Sequence, residues 1–202
     1  MWRPASLNRS TICNDNADPS CDETQIVATM TPFCFEHVFR AQASDAVFAA
    51  YFDAELQLEQ DRAVEIAGRE ILELHDDGIT LRRTSRVTPR RKIPAFLKPL
   101  LGGELRYIER VAWRRPDNEI DIDIEILPAR LNGRIQALYG VERRGPHEIL
   151  RRYRGSVSVN VALLSTRIER GIVAEFARSM PVAAECTQSW LDRQIRSLTA
   201  QA

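Results

Sequence analysis

The chain has 202 residues, 44% hydrophobic and 28% charged, with 28 basic and 28 acidic side chains that cancel to a formal net charge of zero. That length holds one domain plus a tail, and a domain of about 170 residues buries roughly 70% of its unfolded surface without disulfide staples. No stretch approaches the roughly 20 apolar residues of a membrane span. Cys13, Cys21, Cys34 and Cys186 form neither a C-x-x-C pair nor a zinc pattern. The N-terminus lacks an apolar run of signal-peptide length. The expectation is a soluble cytoplasmic protein with reduced thiols.

The zero net charge conceals an asymmetry. From Arg82 to Arg154 there are 18 Lys plus Arg against 9 Asp plus Glu, so that region carries +9 and the remainder −9. A basic sheet region suits nucleic acid or anionic lipid. The arginines alternate with apolar residues and few aromatics are interleaved with them, so a solvated outer sheet face is the plainer reading and nucleic acid is disfavoured.

Residues 1–31 are polar and lack a periodic apolar face, as in a disordered tail preceding a domain over 32–202. Phe33 to Ala41 alternates as a strand, with Phe33, Phe35, His37 and Phe39 on one face. Ser44 is placed to cap a short helix through Phe52, and Asp53 a second helix to about Ile66, ended by Gly68. Arg69–His75 and Ile79–Thr88 flank the turn Asp76-Asp77-Gly78. Arg83 falls on the apolar face of the second of these strands.

Three prolines and a double glycine then break Pro89–Gly103, a segment both basic and greasy. Leu105–Arg114 is a strand with Tyr107, Glu109, Val111 and Trp113 in one register. Ile120, Ile122, Ile124 and Ile126 alternate with Asp121, Asp123 and Glu125, the pattern of a half-buried strand. Asn132-Gly133 opens a strand through Glu142 with Tyr139 inward. Gly145-Pro146 turns into a last strand, His147–Val161, where Arg151 shares a face with Ile149, Tyr153 and Val157.

Thr166–Leu198 reads as one long amphipathic helix. Ile168, Ile172, Phe176, Met180, Ala183, Thr187, Trp190 or Leu191, Ile195 and Leu198 recur at three- and four-residue steps. Thr166 and Glu169 fit a capping box, and Pro181 is expected to kink the helix. The order strand, two helices, six strands, long helix means an α+β fold. In it a curved antiparallel sheet wraps the C-terminal helix and leaves room for a cavity.

That order resembles the START-like superfamily (SRPBCC, helix-grip), within an uncharacterised bacterial branch described as a domain of unknown function. The residues carrying the resemblance are Phe35-Glu36-His37, Ala43 to Phe48, Ile93 to Leu97, Tyr107 to Trp113, Gly155 to Val159 and Ile168 to Val173. The resemblance implies a deep apolar cavity between sheet and C-terminal helix. It also implies binding of lipids, sterols, polyketides or hormones, with cyclase or hydratase activity in some members. No catalytic motif, metal site or cofactor site of the family maps onto these residues.

The expected cavity lining comprises His37, Phe39, Arg83, Tyr107 and Glu109 from the earlier strands. Trp113, Tyr139, Arg151 and Tyr153 join it from the later ones, with Phe176 from the helix. Glu109 and Arg151 are candidates for a polar anchor holding a ligand head group, a mutually satisfied buried pair being the plainer alternative. His37 suits a general base only if a carboxylate orients it; a satisfied core histidine is the plainer alternative. Arg91, Lys92, Ile93, Phe96, Leu97 and Leu100 suit a gate that touches an anionic membrane surface, against a simple loop over the cavity mouth. Three functions follow: a non-enzymatic carrier or binder of a lipid or other hydrophobic small molecule, a polyketide cyclase- or dehydratase-like enzyme, or an interaction module with a basic sheet face whose cavity is filled by its own side chains. Oligomeric state is not legible in the chain.

Overall fold

Alternation of large apolar and polar residues builds the first strand, β1 (Thr31–Arg40), in which Phe33, Phe35 and Phe39 are buried. Helices α1 (Ser44–Phe52) and α2 (Ala54–Ala63) follow. Six strands come next: β2 (Ile66–Asp76), β3 (Thr80–Pro89), β4 (Arg106–Arg114), β5 (Glu119–Leu127), β6 (Gly133–Gly145) and β7 (Glu148–Ser158). Helix α3 (Ser165–Ala200) closes the order. The computed structural model describes residues 30–90, 104–128 and 131–200. The candidate gate, from Arg91 through Leu100, and most of the N-terminal tail lie outside the described residues.

The strands form one antiparallel sheet in the order β1-β7-β6-β5-β4-β3-β2, a meander from β2 to β7 with β1 added beside β7. Register brings the inward residues into cross-strand rows: Phe35 opposite Tyr153, Tyr153 opposite Tyr139, Tyr139 opposite Ile120 and Ile120 opposite Trp113. Each fully buried Phe, Ile or Leu of this layer contributes about 1.5–3 kcal/mol. The outward acids Asp121, Asp123 and Glu125 meet Arg114, Arg134 and Arg110 at 2.7–3.0 Å. The alternating arginines thus form a solvated, ion-paired outer face, where each exposed pair is worth at most about 1 kcal/mol.

Several local expectations are corrected. Ser44 is the first residue of α1, whose N-cap, Ala43, makes no side-chain cap. Asp53 does cap α2, accepting from the Leu56 amide at 2.8 Å, but α2 ends at Ala63. Glu65 adopts φ 61° and turns the chain directly into β2, so Ile66 to Gly68 are strand. The Thr166–Glu169 capping box does not form. Ser165 Oγ instead accepts from the Val161 amide at 3.0 Å, and Glu169 is fully buried in a tertiary role. It accepts from the Val159 amide at 3.0 Å and the Thr31 hydroxyl at 2.7 Å, tying the start of α3 to β1 and to the end of β7. Further along α3, Gln188 pairs with both backbone groups of Arg40 on the edge strand (2.8 and 3.2 Å). Gln60 of α2 donates to Thr187 Oγ1 at 3.0 Å. α3 continues through Pro181, whose ring nitrogen has no proton to donate to the preceding turn.

Candidate functional site: a cavity between sheet and helix

Ile168 and Leu191 are buried, but Ile172, Phe176, Met180 and Ala183, in the same apolar stripe of α3, are only half-buried. The reason is that the middle of this stripe faces a hole. A cavity of about 460 Å³ lies between α3, α2 and the concave face of the sheet. Its walls are mostly apolar, from Ile124, Ile126, Ile135 and Val159 on the sheet side to Ile172 and Phe176 on the helix. Phe33, Tyr153 and Phe176 pack with ring centroids 5.4–6.3 Å apart and stiffen this wall. Pro89 and Leu105, which flank the segment linking β3 to β4, both border the cavity.

Polar groups gather in two places. In the first, Arg69 on β2 joins two carboxylates: its Nε donates to Asp61 at 2.9 Å and its Nη1 to Glu109 at 2.6 Å. Burial opposes the Arg69 charge, yet Glu109 and Asp61 outweigh it and hold the guanidinium above its ordinary pKa. Arg83, buried on β3, reaches Glu109 at 3.9 Å and lies 5.7 Å from the centre of the Tyr51 ring. Its Nε has no partner among the described residues.

The second place is Arg151 on β7, which is 4% exposed. Its Nη2 meets His37 Nδ1 at 2.5 Å, and its guanidinium lies 5.2 Å from the Phe39 ring centre and interacts with the Tyr139 hydroxyl. Burial lowers the Arg151 pKa from its usual value. Burial also raises the pKa of Tyr51, Tyr139 and Tyr153, which stay protonated at neutral pH and available as donors.

Of the residues expected to line the cavity, Arg83, Tyr107, Glu109, Tyr139, Arg151, Tyr153 and Phe176 do so. His37, Phe39 and Trp113 do not. His37 and Phe39 stand behind Arg151, and Trp113 stacks between Phe48 and Phe52 of α1, centroids 5.3 and 5.7 Å away. Glu109 and Arg151 do not satisfy each other. β4 and β7 are three strand spacings apart, roughly 14 Å along the sheet, and Arg69 occupies Glu109 instead. Sequence reasoning missed Arg69, Asp61, Gln57 and Gln60. Extending α2 to Ile66 hid the start of β2, and the left-handed Glu65 that ends α2 carries no residue-type signal. His75 and His147 are exposed. Among the described residues no cluster of His, Cys, Asp or Glu is arranged to hold a metal ion, and no helix is long and apolar enough to cross a membrane.

The buried His37 gives a testable pH dependence. Burial first, and the Arg151 charge second, push its pKa down to about 3. The unfolded chain takes up this proton as pH falls through about 6.5, while the folded protein does not until far lower. Stability is therefore full above about pH 6.5 and declines on acidification, by about 1.5 kcal/mol between pH 6.5 and 5 from this group alone. Urea unfolding of wild type and His37→Asn at pH 7, 6 and 5 should show that decline only in the wild type. Equal pH slopes would mean that His37 titrates normally.

A single long helix gripped by a curved antiparallel sheet, with an apolar cavity between them, defines the helix-grip fold of the START-like class. The chain belongs to the family described as "Protein of unknown function (DUF2505)", whose model matches residues 35–191. Among solved structures, the chain is similar to the ZhuI aromatase/cyclase from Streptomyces sp. R1128, with TM-score 0.59 and 13% identity over 83% of this chain and 98% of that one. It is also similar to TTHA0849 from Thermus thermophilus, with TM-score 0.58 and 11% identity over 81% and 99%. Human STARD10 matches with TM-score 0.58 and 10% identity over 87% and 71%. At these identities the likeness is one of fold. No curated protein matches the chain.

Proposed function

We propose that the protein binds a hydrophobic small molecule, lipid-like in character, in the cavity between sheet and α3, and that it acts as a carrier or sensor rather than by turnover. One observation carries this reading: about 460 Å³ of space with mainly apolar walls, in the middle of a domain whose other inward side chains pack tightly. Leaving such a space open forfeits the packing that the surrounding side chains would otherwise gain, and an apolar ligand restores it. The interaction-module reading requires a cavity filled by the protein's own side chains, which this geometry does not support. The enzyme reading needs an acid–base pair in contact. His37 is instead engaged by Arg151 outside the cavity lining, and Glu109 by Arg69.

Native mass spectrometry of the gently purified chain, followed by denaturing extraction, tests the proposal. An apolar molecule at about one per chain is the expected result, or, for protein recovered empty, saturable fluorescence enhancement of the neutral probe N-phenyl-1-naphthylamine. Phe176→Arg, which places a charge against the apolar wall, should weaken probe binding at least tenfold. An empty protein that also fails to bind the probe would reject the reading.

A further inference from the structure

The cavity's buried charges do not balance. Three guanidinium groups, Arg69, Arg83 and Arg151, face it with two largely buried carboxylates, Asp61 and Glu109. Arg69 spans both carboxylates and Arg83 reaches one of them. Arg151 has neither: among the described residues no carboxylate lies within 4 Å of it. Its side-chain neighbours are neutral. His37 meets Nη2 through Nδ1, which can accept only if that nitrogen carries no proton; the others are the hydroxyl of Tyr139 and the ring of Phe39. Its Nε is buried and has no hydrogen-bond partner among the described residues. A charged donor held out of water and left unpaired is costly, and this one lies in the wall of the cavity, beside Tyr139 and Tyr153.

We propose that the ligand is an amphipathic acid whose single carboxylate binds Arg151, with its apolar body lying against Ile135, Val159, Ile168 and Phe176. This rests on the binding function proposed above and specifies the class of ligand. A carboxylate supplies the missing element, a negative charge to balance the third guanidinium in the cavity wall. The Tyr153 and Tyr139 hydroxyls, protonated at neutral pH, border the same space as further donors. A neutral alcohol or sterol of equal length would leave the charge unbalanced, so the geometry selects by head group as well as by hydrophobicity.

Displacement of N-phenyl-1-naphthylamine from the full chain at pH 7.5 by dodecanoic acid and by dodecan-1-ol tests this. The acid is expected to displace the probe at a concentration at least tenfold lower than the alcohol. In Arg151→Gln that ratio should fall to near one, through weaker binding of the acid with the alcohol little changed, and Arg151→Lys should keep part of the preference. Equal displacement by acid and alcohol in the wild type overturns the proposal by itself, whether or not any variant folds. A folded Arg151→Gln protein that retains the tenfold preference also overturns it. If the probe, the acid and the alcohol all fail to bind, the hydrophobic-binding reading falls and this proposal with it, an outcome distinct from equal binding.

Discussion

Arg69→Ala is expected to destabilise the fold by about 3–5 kcal/mol, because it leaves Asp61 and Glu109 as two carboxylates with their shared cation gone. Both oxygens now bonded at 2.6 and 2.9 Å would lose charge-assisted donors while remaining largely screened from water by α2 and the sheet. Arg83, 3.9 Å from Glu109, is too distant to take over the hydrogen bond without moving. The triple variant Arg69→Ala, Asp61→Asn, Glu109→Gln removes the stranded charges and should recover more than half of the loss. Urea unfolding of the four proteins (wild type, single, Asp61→Asn/Glu109→Gln double and triple) separates the two contributions. A single variant as stable as wild type would show that water reaches these carboxylates freely. The network also fixes the geometry of the cavity floor, since Arg69 and Glu109 line it and Asp61 anchors α2 above them.

Gly155→Ala should be damaging on a comparable scale. A β-carbon at Gly155 would lie 2.2 Å from the Gln136 carbonyl oxygen and 2.8 Å from both Cα and Cβ of Ala137. The obstacles are mainly neighbouring backbone, which cannot rotate aside as a flexible side chain would. Gly155 sits on the inward face of β7, opposite Phe33 on one side and Ala137 on the other. The close approach of β6 at that point is what a side chain would prevent, and a glycine in a strand interior serves this purpose. The expected cost is about 3 kcal/mol or more, with Gly155→Val failing to accumulate as folded protein. Thermal and urea unfolding measure it. A variant as stable as wild type would mean that the sheet can open at this point without loss. Because the same approach shapes the concave face, any folded Gly155→Ala protein should also bind N-phenyl-1-naphthylamine more weakly.

These two positions differ in how visible they are in the chain. Gly155 stands within the run Gly155-Ser156-Val157-Ser158-Val159, where alternation already assigns it an inward place, though not the neighbour that would clash. Arg69 follows a glycine in a stretch whose alternation is poor, because β2 is an edge strand with Ile71, Leu72 and Leu74 exposed. An edge strand exposed on both faces has little reason to alternate, so periodicity fails there. It works for β5, whose four isoleucines all face the core.

What the residues determined by themselves is the element order, the inward face of nearly every strand and the apolar stripe of the last helix. These follow from local periods of two and 3.6 residues, which are written into neighbouring positions. The same periodicity placed Glu109, Arg83 and Arg151 among inward-facing apolar residues. The pairing of those charges was decided by tertiary structure alone. Strand order and side-chain reach set who meets whom: Arg69 on β2 reaches across β3 to Glu109 on β4, β1 places His37 directly opposite Arg151, and three strand spacings keep Glu109 from Arg151. Glu169 shows the same division. Its position suited a local cap, but buried partners on β1 and at the end of β7 offered better hydrogen bonds than a solvated helix start. The cavity itself is likewise a tertiary property, because it is the volume left over when helix and sheet meet, and no local pattern of residues encodes a volume.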